Sequence, residues 1–131
     1  LFRLQYKMNA SHGLPDLQHI LAAVQIDQSQ VLAVYLLGSR MWGMYSASSD
    51  YDLFIVLKQL PPRANGRRSG ARFSTSKSVR GVPVDVLMAD LQDFKEKVEV
   101  AEYPDLLCFL TPVDCRLHET KEVSALRNTL T

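Results

Sequence analysis

With 131 residues, 47% of them hydrophobic and 22% charged, the chain has the length and balance of one globular domain, residues 1–131, with a core of its own. A net charge of +1 gives no whole-molecule argument for nucleic acid or an anionic membrane surface. No apolar run approaches the roughly 20 residues that a spanning helix needs, so no membrane partner is expected. The opening residues show no secretory pattern, and a start at Leu1 rather than Met reads as an N-terminus that is missing or processed. Cys108 and Cys115, the only cysteines, fit no zinc or redox spacing and read as reduced thiols of a cytoplasmic protein.

In chain order, residues 1–13 give mixed signals. From Pro15 to about Asp27, Leu17, Ile20, Leu21 and Val24 recur at helical spacing, and Pro15 suits a first turn. Val31 to Leu37 is continuously apolar and reads as a strand buried on both faces. A short helix is expected over Ser39 to Tyr45, with Trp42 and Tyr45 as core residues, then a return through Ser46 to Ser49 into a strand from Tyr51 to Leu57. Pro61-Pro62 stops regular structure, and Arg63 to Arg72 reads as a mobile loop. Phe73 to Val79 has the alternation of a strand, and Val82 to Met88 is a third apolar strand with Asp85 embedded in it. Asp90 caps a helix carrying Leu91, Phe94 and Val98, a second helical stretch follows Pro104, Arg116 to His118 suits an edge strand, and Lys121 to Leu130 reads as a terminal helix. The pattern predicts an α+β fold, an α/β sandwich of a small mixed sheet with helices packed on it.

The chemistry concentrates in Val34 to Leu57, VYLLGSRMWGMYSASSDYDLFIVL. Asp50 and Asp52 are two residues apart on a strand and share one face, an arrangement that repels itself unless a cation lies between the carboxylates. Gly38-Ser39 leaves a buried strand in a tight turn suited to holding an anion. Asp85, an acid inside an otherwise apolar strand, completes a three-carboxylate cluster if its strand lies beside Tyr51 to Leu57. Three hard oxygen donors suit Mg²⁺.

This constellation resembles the DNA polymerase β-like nucleotidyltransferase superfamily. The segments LLGSRMWG and SDYDLFIVL look most like its minimal nucleotidyltransferases, which read GSR-x-x-G and then S-D-x-D-L; Gly38, Ser39, Arg40, Gly43, Ser49, Asp50, Asp52 and Leu53 match. The resemblance implies the polymerase β-like fold and Mg²⁺-dependent transfer of a nucleoside monophosphate from an NTP, ATP foremost, with release of pyrophosphate. It carries over two Mg²⁺ ions (or Mn²⁺) to Asp50, Asp52 and Asp85, and triphosphate contacts to Gly38 and Ser39. Arg40 and Ser49 join the nucleotide-binding set, although Arg40 reads equally as a surface residue.

The acceptor is open between an RNA 3′ end, a tRNA, a protein hydroxyl and a small molecule. The stretch from Lys58 to Arg80 holds seven basic residues and no acid. It reads as a solvated basic loop, with a triphosphate or RNA contact as the other reading. A competing class is an antitoxin-like interaction module bound to an all-helical protein partner, for which the apolar Leu106 to Leu110, if exposed, would supply the interface; oligomer formation is open as well. His12, His19 and His118 form no ligand spacing with the cysteines.

Overall fold

VLAVYLL, from Val31 to Leu37, carries a single polar side-chain group, the Tyr35 hydroxyl, and every residue of this strand, β1, is buried. The computed structural model describes residues 13–38, 50–60, 67–69, 72–102 and 104–130. The remaining strands are β2 (Tyr51–Leu57), β3 (Arg67–Ser69), β4 (Arg72–Val79), β5 (Val82–Asp90) and β6 (Arg116–Glu119), and the six form one sheet in the order β3-β4-β5-β2-β1-β6. The pairings are antiparallel except for β2 with β5, which run parallel at the centre. The fold is the expected α+β arrangement of a mixed sheet with helices on it.

Four α-helices are described: α1 (Leu17–Ala23), α2 (Leu91–Glu99), α3 (Asp105–Leu110) and α4 (Lys121–Leu130). On β4 the buried Phe73 and Val79 alternate with exposed Ser74, Ser76 and Ser78, and α1 packs against this strand, so it covers the face opposite the serines. The other face carries α2 and α3 through an aromatic chain: Phe54 of β2 meets Phe94 at 5.8 Å, and Phe94 meets Phe109 edge-on at 5.5 Å. Arg127 of α4 then lies 5.4 Å from the Phe109 ring. Tyr35, expected in the core, is buried there and donates its hydroxyl proton to Glu119 at 2.5 Å.

Three expectations change. The first helix ends at Ala23 rather than near Asp27, because Gln25 takes a left-handed φ of 61°. Its N–H bonds to Ala22 and that of Ile26 to Leu21, the paired bonds of a Schellman stop, with Leu21 and Ile26 supplying the apolar contact. Within the stretch read as a mobile loop, Arg67–Ser69 pairs with β4 instead. Leu106 to Leu110 lies in the expected helix, α3, but turns inward instead of standing exposed: Cys108 is buried, Phe109 meets Phe94 edge-on, and Leu110 alone of the five is exposed.

Of the seven basic residues, the four whose side chains are described, Lys58, Arg72, Lys77 and Arg80, do not form one stripe. Arg72 is drawn into the interior, with Nε 2.6 Å from Asp93 Oδ2 and Nη2 2.5 Å from the wholly buried Asp105 Oδ2, and its guanidinium lies over Phe54. Lys58 follows the far end of β2, Lys77 points away from the serine face, and Arg80, on the β4–β5 turn, bonds His19 of α1. Arg63 is outside the described residues. No helix among the described residues is long and apolar enough to cross a membrane, and neither Cys108 nor Cys115 is in a disulfide.

Candidate active site

Asp52 and Asp85 are direct partners in the parallel ladder between β2 and β5, and Ser76 is the partner of Asp85 across the antiparallel ladder to β4. Side chains paired across a ladder share a face, so Asp52, Asp85 and Ser76 stand in one row over three adjacent strands. Ser76 Oγ donates to Asp85 Oδ1 at 2.5 Å. The row lines a cavity of about 680 Å³ whose wall also includes Leu37, Phe54, Ser74, Leu87 and Pro104. The cavity lies on the face that carries α2 and α3, at the end of the strands that the aromatic chain leaves open.

Burial pushes the Asp52 carboxyl above the ordinary carboxylate range, and its neighbours push it further. Asp85 does so by charge and by a hydrogen bond between the two acids, and Asp50 adds its charge. Two adjacent carboxylates cannot both ionise cheaply, so the pair holds a proton or calls for a cation. Asp50 is exposed, directly ahead of β2. Among the described residues no set of three or more His, Cys, Asp or Glu side chains converges as a metal-binding group. The fit to a divalent cation therefore rests on the Asp52–Asp85 pair, whose desolvated, mutually repelling hard oxygens have the chemistry Mg²⁺ accepts.

Gly38 ends β1 with φ +70°, and an added Cβ would meet Asp52 Oδ2 at 2.2 Å. The turn expected at Gly38-Ser39 thus begins with glycine for two reasons, a left-handed backbone and the carboxylate lying against it. Ser39, Arg40, Gly43 and Ser49, with Trp42 and Tyr45, lie outside the described residues, as does the short helix expected there.

Sequence reasoning missed Ser74, Ser76 and Pro104 as parts of the cavity. For Ser76 a signal was present. Arg80 and Gly81 both take positive φ, 51° and 78°, as a two-residue hairpin turn of the primed kind requires. Counting back from that turn pairs Val79 with Val82 and, three steps on, Ser76 with Asp85.

No curated protein matches the chain at a significant level. The family described as nucleotidyltransferase domain matches residues 17–123, a span that holds β1 to β6 and both central carboxylates. That span is well over half of the sequence, and the chain belongs to this family of nucleotidyl-transferring proteins, within the polymerase β-like superfamily.

Proposed function

We propose that the protein transfers a nucleoside monophosphate from an NTP, ATP foremost, to an acceptor hydroxyl and releases pyrophosphate, using Mg²⁺ held by Asp50, Asp52 and Asp85. The observation that supports this reading best is the in-register placement of Asp52 against Asp85, facing a cavity of about 680 Å³. A volume of that order accommodates a nucleotide. When bound, divalent cations neutralise the triphosphate and lower the pKa of a coordinated hydroxyl.

The chain's own residues divide the remaining work. Gly38 and Ser39 bind the β- and γ-phosphates, with Arg40 and Ser49 as further nucleotide contacts. Leu37, Phe54 and Leu87 give the cavity an apolar floor that excludes water from the reacting phosphate. Asp85 accepts the proton of the acceptor hydroxyl, and Asp52, raised by burial and by Asp85, supplies the second carboxylate that a cation would bring to its ionised form. This chemistry is mainly positioning and charge neutralisation, so a domain of this size suffices. The buried, reduced Cys108 and Cys115 favour a cytoplasmic location.

The test is thermal stabilisation by ATP, GTP, CTP and UTP, each with and without Mg²⁺. The expected result is a rise in Tm that needs both nucleotide and metal and disappears in Asp52→Asn. Equal shifts with and without metal, or none with any nucleotide, would overturn the reading.

A further inference from the structure

Ser76 is hydrogen-bonded through its hydroxyl to Asp85, one of the two strand-borne carboxylates of the site. It is exposed on the cavity side of β4. The 2.5 Å separation belongs to the short, charge-assisted class of O–H···O⁻ bonds, in which the hydroxyl is already polarised toward giving up its proton. A nucleophilic hydroxyl, a base within hydrogen-bond reach and a third group fixing the base form the signature of an activated nucleophile. Ser76 and Asp85 supply the hydroxyl and the base, and strand pairing holds both in one row with Asp52.

On the nucleotidyl-transfer reading, the acceptor hydroxyl must come within hydrogen-bond distance of Asp85 to lose its proton. Ser76 Oγ already occupies such a place, and it is fixed there by strand pairing at both Asp85 and the β4–β5 turn. We propose that Ser76 is an internal acceptor, so that the protein modifies itself with the nucleoside monophosphate it draws from an NTP. In this step Ser76 Oγ attacks the α-phosphorus and forms a phosphoester bond. The bond from the α-phosphorus to the oxygen bridging it to the β-phosphate breaks, and pyrophosphate leaves with the electron pair. The Oγ proton passes to the Asp85 carboxylate and on to solvent. The inference rests on the nucleotidyl-transfer reading, and the adduct would fill the cavity that an external acceptor must enter.

The experiment incubates the full chain with each of the four NTPs and Mg²⁺, follows intact mass, and maps the modified peptide by tandem mass spectrometry. Metal-dependent NTP thermal shifts are measured on the same samples. Expected is a single addition equal to a nucleoside monophosphate less water, approaching one equivalent and mapped to Ser76. Its first-order rate should not depend on protein concentration, since the reaction is intramolecular. Ser76→Ala should lose the addition and Ser76→Thr should carry it on the threonine. Site mapping in the unsubstituted protein keeps the inference testable if Ser76→Ala folds poorly. An addition mapped to another residue would overturn it. A metal-dependent thermal shift without any addition would also overturn it, leaving the transferase reading intact and Ser76 a partner of Asp85 only. Neither shift nor addition would bring down both.

Discussion

Gly38 packs directly on Asp52: a methyl group at Gly38 would fall 2.2 Å from Asp52 Oδ2 and 3.1 Å from its Cγ. Gly38→Ala must therefore strain a backbone at φ +70° and push the carboxylate out of its row beside Asp85. The two effects together should cost about 2–4 kcal/mol, left-handed strain and overpacking each contributing. Urea denaturation reads the stability loss. The metal-dependent nucleotide shift should vanish even at temperatures where the variant is still folded.

Asp52→Asn should separate stability from function. The Asp52 carboxyl is raised by burial and by Asp85, so its ionised form opposes folding. A group raised in the folded state stabilises fully below its unfolded value and loses that contribution as pH rises through the folded value. The variant should thus match the parent protein in acid and exceed it increasingly toward neutral pH, by a Tm difference on the order of 2 °C. Differential scanning calorimetry over that range checks the sign. Mg²⁺ alone should raise the Tm of the parent protein and leave that of the variant unchanged.

The Arg72 clamp predicts a large effect on stability. Removing the cation strands Asp105, which is wholly buried and whose Oδ1 has no partner among the described residues. Arg72→Met should cost about 3–5 kcal/mol, as for other broken buried pairs. Arg72→Lys should recover little, since a point charge on a flexible stem cannot bond Asp93 and Asp105 in a fixed fork. Pairing Arg72→Met with Asp105→Leu should restore part of the loss, measured as the denaturation midpoint in urea.

The end of α2 offers a gain. Ala101 sits at φ 57°, where its N–H bonds to Val98 and the next, from Glu102, bonds to Lys97, the same stop that closes α1. A left-handed position after a helix favours glycine, so Ala101→Gly should stabilise the protein by about 1 kcal/mol. A rise in the urea midpoint with unchanged slope checks it.

The central sheet was legible because its strands are extreme. VLAVYLL and YDLFIVL leave no amphipathic alternative, and Asp90 announces the helix it caps, bonding the N–H of Asp93 at 2.8 Å. The neighbourhood of Asp85 was legible only conditionally, since a parallel pairing leaves no local mark on either strand. Arg72 was misplaced because it ends a run of arginine, glycine and serine that looks solvated, while the acids that draw it inward lie 21 and 33 residues away. The inward turn of Leu106 to Leu110 depended likewise on Phe94, a ring on another helix.

The parallel pairing of β2 with β5 also orders events in time. The two strands are joined through residues 58–81, so their ladder closes a long loop before it gains contacts, whereas β4 and β5 can zip from the Arg80-Gly81 turn at once. On that ground Asp85 is expected to meet Ser76 before Asp52 arrives beside it, an order that pulse-labelling hydrogen exchange would read. On the nucleotidyl-transfer reading, a cation held between Asp52 and Asp85 would offset their repulsion and chiefly slow the separation of the two strands.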